Sequence, residues 1–203
     1  MSATSASRAR PRRKPSFQAG VAAIEVSLLA LVFFSLVFGV IEISRLMYVF
    51  NSVQEATRRA ASAATMTSHR DTAALASIRQ QAVFRNDPGY LPFGAPVSDR
   101  NVRIDYLALV RNGAGLSLTP IPEAALPLCP RENRRVCLTN PNASNCIRFV
   151  RARICEDDGA AQCNRLDYSL VTPLLPLTVK LPRATTISLV ESFGSMPEGT
   201  PCL

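Results

Sequence analysis

Residues 21–41 read VAAIEVSLLALVFFSLVFGVI, and Glu25 is the one charged side chain among them. About 20 apolar residues cross the hydrocarbon core of a bilayer as a helix. Thirteen of the side chains from Ile24 to Ile41 are strongly apolar. At roughly −0.3 to −0.6 kcal/mol each they favour insertion by about 4 to 8 kcal/mol. A buried Glu25 costs up to about 2.5 to 3.5 kcal/mol, and less near the membrane edge, so insertion wins. Upstream lie Arg8, Arg10, Arg12, Arg13 and Lys14, with no acid before Val21. A basic cluster ahead of an apolar span holds that end of the chain in the cytoplasm. Two other readings fit less well. A cleaved secretory signal needs a small-residue site after its core, and no alanine occurs between Ala30 and Ala56. A buried helix of a soluble domain leaves the basic cluster and the unbroken apolar surface without a reason.

The helical pattern continues past the span. Residues 43–66 contain no glycine and no proline. Ile43, Leu46, Met47, Phe50 and Val53 recur at one-turn steps, and Ala56, Ala60, Ala63 and Ala64 carry the pattern on. Glu42, Arg45, Asn51, Glu55 and Arg58 occupy the other sides. The spacing predicts one helix from Val21 to Met66, about 69 Å long at ~1.5 Å per residue. It is apolar all round in its first half and on one side in its second. That second stripe is expected to pack against copies of itself or a partner. Glu42 and Arg45 read as an ordinary i,i+3 surface pair, and Gly39 as a close-packing point for another membrane helix.

Charge and cysteines divide the chain at the same place. The formal net charge is +8, but residues after the leader hold 18 basic against 15 acidic side chains. The basicity is mostly a terminal tail beside a membrane span, which excludes a nucleic-acid-binding face. All six cysteines follow the span: Cys129, Cys137, Cys146, Cys155, Cys163 and Cys202. None forms C-x-x-C, so neither a zinc site nor a thioredoxin-like pair is expected. An even count on one side of a membrane segment suits structural disulfides in an oxidising compartment. Local bridges Cys129–Cys137 and Cys155–Cys163 are expected, with Cys146–Cys202 tying down the C-terminus; six cysteines allow 15 pairings, and this is one of them.

The outer half reads as a small set of elements. Asp71 or Thr72 caps a short helix with Leu75, Ile78 and Ala82 on its apolar side, and Asn86-Asp87-Pro88-Gly89 turns the chain after it. Strands are predicted at Val102–Tyr106, Cys146–Cys155 and Ala184–Glu191. Pro173, Pro176 and Pro182 break the region between the last two. Arg148, Arg151 and Arg153 read as a solvated strand face. Asp157-Asp158-Gly159 lacks the ligand spacing of a calcium loop and reads as a polar turn. The expected fold class is α+β: a long N-terminal helix and a small disulfide-stapled antiparallel β domain. The expected divisions are a basic cytoplasmic leader at 1–20, a transmembrane helix at 21–42, its extension at 43–66 and an extracytoplasmic α+β domain at 67–203. His69 is the single histidine. There is no H-E-x-x-H, no G-x-S-x-G and no phosphate-binding glycine loop, so neither an enzyme nor a metal or other cofactor is expected.

A basic leader, Gly20 and then Glu25 in an apolar helix resemble the processing site of type IV prepilins and pseudopilins. The run Phe38-Gly39-Val40-Ile41-Glu42-Ile43-Ser44-Arg45, followed by Tyr48, Asn51, Gln54-Glu55-Ala56 and Arg58, is similar to the TadE-like family. These are small pilin-like membrane proteins of the tight-adherence, or type IVb, pilus system. The resemblance covers about residues 17 to 66. It implies cutting between Gly20 and Val21 by a prepilin peptidase at the cytoplasmic face. It also implies that Glu25 pairs with the new Val21 amine of a neighbouring subunit and so sets the stagger between subunits. Pilins of this system commonly carry an aromatic residue after the glutamate, where this chain has Val26. The helix residues implied in packing are Gly39, Glu42, Arg45, Tyr48 and Phe50. The implied partners are other pilin-like subunits, pilus assembly machinery, the prepilin peptidase and the bilayer. The implied location is the inner membrane, as a single pass with the C-terminal domain in the periplasm. The resemblance thus points to a minor subunit or assembly protein of a tight-adherence pilus. The alternatives are a single-pass anchor presenting a binding domain unrelated to pili, and a pseudopilin of a secretion system.

Overall fold

The computed structural model describes residues 19–113, 115–158, 162–168, 170, 179–190 and 192–194. The basic leader, Pro173, Pro176, Gly159, Glu191 and Cys202 lie outside them. Helix α1 spans Ala19–Thr65. The chain divides into two compact units, Met1–Ile41 and Glu42–Leu203.

In the first unit, α1 is a bare apolar helix. No side chain from Gly20 to Ile41 is buried. Ser27 and Ser35 donate their hydroxyls back to the carbonyls of Ile24 and Leu31. This is how serine satisfies itself inside an apolar helix. The helix is long and apolar enough to cross a membrane.

The second unit is α+β. After α1 come α2 (Thr72–Ala82), β1 (Val102–Asn112), β2 (Gly115–Pro120), α3 (Pro130–Thr139), β3 (Phe149–Ile154), β4 (Asp167–Tyr168), β5 (Val179–Lys180) and β6 (Thr185–Leu189). Asp71 caps α2, accepting from the Ala74 amide at 2.9 Å, and Leu75, Ile78 and Ala82 form its buried side as expected. The main sheet has the order β2-β1-β3-β6, antiparallel throughout. Tyr106 lies opposite Val150, and Arg151 opposite both Asp105 and Ile187. Val102, Tyr106, Ala108, Val150, Ala152 and Ile154 share one core with Val49, Val53, Ala56, Ala60 and Ala64 of α1 and with the apolar side of α2. Thr57, fully buried on the same side of α1, contacts the Thr186 hydroxyl at 3.0 Å and donates to the Gln54 carbonyl.

Several expectations are corrected. Cys137 bonds Cys146, not Cys129, so Cys146 is not the partner of Cys202. The reason is α3. Cys129 is its N-cap and Cys137 lies two turns on, about 12 Å away at ~1.5 Å per residue, too far for a disulfide. Cys129 is itself disulfide-bonded, and Cys155–Cys163 forms as expected. Strand β1 runs six residues beyond Tyr106. Its hairpin partner β2 has no signature in the sequence, because it is an edge strand exposed at five of six positions and carries no burial alternation. Gly113 makes the turn between them with φ +60°, a conformation natural to glycine. Arg151 and Arg153 are not a solvated face. Both donate to Asp105 and are about one-fifth exposed.

Candidate functional site

The processing and helix-packing residues singled out in the sequence fall on α1. Gly20 lies in its first turn, and Val21 and Glu25 stand one turn apart on one exposed side. A Cβ added to Gly20 or to Gly39 would meet nothing within 4 Å. Glycine in a helix costs roughly 0.5–1 kcal/mol relative to alanine, and no packing among the described residues offsets that cost at either position.

Past the unit boundary the helix carries a polar node. Arg45 donates through Nη1 to the Tyr168 hydroxyl at 2.9 Å and lies 3.5 Å from Glu42 Oε1. The Tyr168 hydroxyl donates to the same Glu42 oxygen at 2.9 Å. Arg45 Nε and Nη2 donate to the carbonyls of Phe93 and Ala95 at 2.9 and 2.8 Å, and the guanidinium lies over the Tyr168 ring. The side chains of Arg45 and Glu42 are only 16% and 13% exposed, so the expected surface pair is a largely enclosed cluster. Burial, and then the bond to Glu42, raise the Tyr168 phenol above its ordinary range. About three turns further on, Glu55 pairs with Arg58 and Arg59. Hydrogen bonds from Arg58 and then Arg59 hold its carboxyl at about 2.

The apolar stripe of the extension is split. Val49 and Val53 are buried in the domain's own core, with Leu46 and Phe50 packed against it. Ile43, Met47 and Tyr48 remain exposed.

The segment carrying all these residues coincides with a known family model. Residues 20–62 match the TadE-like protein family. No curated protein and no solved structure matches the chain. The TadE-like segment therefore contains Gly20, Glu25, Gly39, the Glu42–Arg45 pair and the exposed Ile43, Met47 and Tyr48 together.

Outside the TadE-like segment, two features were invisible in the sequence. Tyr168 completes the node from 123 residues away along the chain, in a stretch without periodicity. His69, Tyr106 and Phe193 form an edge-to-face aromatic cluster. His69 Nε2 is 2.7 Å from the Pro127 carbonyl. Its Nδ1 and the Tyr106 hydroxyl are buried with no hydrogen-bond partner among the described residues. Burial lowers the His69 imidazole and raises the Tyr106 phenol. Among the described residues no group of three His, Cys, Asp or Glu side chains could hold a metal.

Proposed function

We propose that the protein is a pilin-like minor subunit or assembly protein of a tight-adherence pilus. It is anchored by a single helix with its N-terminus in the cytoplasm and its disulfide-bonded domain in the periplasm. The family match suggests a pilus-related protein. The observation that carries the finer reading is a TadE-like helix that buries no side chain from Gly20 to Ile41, a largely exposed apolar surface around Glu25. In water that surface is unfavourable; in lipid, or against neighbouring helices, it is matched.

In this reading a prepilin peptidase cuts after Gly20, where the missing side chain lets the enzyme approach the backbone. The freed Val21 amine of one subunit then meets the Glu25 carboxylate of the next. A lone carboxylate within the span is costly, and pairing with a cation lowers that cost while fixing the axial offset between helices. Gly39 gives a second helix a place of close approach, and Tyr48, exposed with Ile43 and Met47, follows it on the packing side, whereas Glu42, Arg45 and Phe50 are taken up by the chain's own domain. The disulfides Cys137–Cys146 and Cys155–Cys163 suit the oxidising side of the membrane. The reading assigns the chain no catalytic role.

The test is the intact mass of the protein purified from cells with an active prepilin peptidase. A chain beginning at Val21 is expected, and Gly20→Leu should leave the leader attached. A wild-type chain that retains its leader beside a processed pilin would overturn the processing step.

A further inference from the structure

Among the described residues, the most exposed large apolar side chain in the second unit is Phe93, at 88%. Its backbone sits at φ +55°, in the left-handed region that residues with side chains rarely adopt. The conformation is held from outside and from within. Arg45 grips the Phe93 and Ala95 carbonyls. The Leu91–Val97 loop also closes on itself, with the Leu91 amide donating to Val97, Gly94 to Leu91 and Val97 to Gly94. A loop fixed this firmly displays the exposed Phe93 ring in one place.

The ring's position along the molecule gives it a partner. Arg45 lies three residues after Glu42, about 4.5 Å of helical rise. If the span ends at Glu42, Arg45 and the carbonyl it holds lie within the headgroup layer, which is roughly 5 to 7 Å thick on each side of the hydrocarbon core. Aromatic side chains favour that layer. The same level of α1 exposes Ile43 and Met47. Glu42 and Arg45 satisfy each other, Tyr168 and the loop backbone, so the charges nearest the boundary are already matched when this level meets lipid. We propose that the Leu91–Val97 loop is a second, interfacial membrane contact: Phe93 inserts at the headgroup–acyl boundary beside Ile43 and Met47, and Arg45 fixes its height. The inference rests on the membrane-span reading above, and its occupant is the lipid surface.

The chain contains no tryptophan, so each Phe→Trp or Leu→Trp variant carries a single reporter. Three full-length variants are placed in phosphatidylcholine vesicles with and without acyl-chain bromination: Phe93→Trp, Phe33→Trp within the span, and Leu138→Trp on the exposed side of α3. The proposal predicts blue-shifted emission from Phe93→Trp and bromine quenching within about twofold of Phe33→Trp, as for an aromatic buried some 5–10 Å into the interface. Leu138→Trp should emit as in water and escape quenching. A quenched Phe33→Trp with a water-like, unquenched Phe93→Trp would overturn the loop contact and leave the span intact. An unquenched Phe33→Trp would overturn the span itself. A blue-shifted but unquenched Phe93→Trp would place the ring against protein, including a second copy of this chain, and would also overturn the lipid contact.

Discussion

Arg45 shows how much one side chain can organise. It reaches Glu42, Tyr168 and two loop carbonyls from a single position on α1. Arg45→Met removes every one of those bonds and leaves Glu42 largely enclosed without its cation. Breaking such a pair costs about 3 to 5 kcal/mol when fully buried and less where water still reaches it, so a loss of roughly 2 to 3 kcal/mol is expected. Tyr168→Phe leaves Glu42 and Arg45 paired and should cost only about 1 kcal/mol. Denaturant unfolding of the purified protein in detergent checks the order; equal effects would contradict the network. His69 is a second case. Burial holds its imidazole below the ordinary 6.5, against a smaller opposing effect from its bond to Pro127. As pH falls through 6.5 the unfolded chain gains a proton that the folded chain refuses, so stability declines towards acid. His69→Phe should flatten that decline while costing about 1 kcal/mol at neutral pH through the lost bond. Glu55 acts at lower pH: its contribution is full above about 4.5 and gone once pH falls through about 2. Its exposed arginine partners keep that contribution small.

At the level of elements, α3 decides the disulfide pattern. Its two turns separate Cys129 from Cys137 and turn Cys137 towards Cys146. Cys137→Ser with Cys146→Ser should cost about 2 to 3 kcal/mol through the reopened loop. Peptide mapping without reduction should recover Cys137–Cys146 and Cys155–Cys163; a Cys129–Cys137 peptide would refute the arrangement. The same helix marks where sequence reading stopped. Helix α1, the Asp71-capped α2 and strand β3 were legible because burial imposes a period on them: 3.6 residues on the helices, two on β3 with its one buried side. Strand β2 is an exposed edge, and α3 buries chiefly the polar Asn133, so neither leaves an apolar period. Proline at the first helical position with Glu132 two residues on was a usable signal for α3. The polar node was half legible. Glu42 and Arg45 declared themselves by their spacing, whereas Tyr168 and the Phe93 loop come together only through the fold.

On the scale of the whole molecule, one physical contrast organises everything. Between Gly20 and Ile41 no apolar side chain is buried, while the unit starting at Glu42 gathers valines, alanines and strand residues into a core of its own. An apolar helix left uncovered requires an apolar surrounding, and the cysteine pairs require an oxidising one. Both are met if residues 21–41 cross the inner membrane with the basic leader inside. The most direct measurement is protease treatment of spheroplasts producing the protein, read by mass spectrometry of the membrane fraction. The account predicts a membrane-bound chain whose domain is digested from outside, leaving a short, protected fragment that contains residues 21–41 and appears only when the outer membrane has been opened. A full-length chain untouched by the external protease, or one recovered in the soluble fraction without detergent, would contradict it.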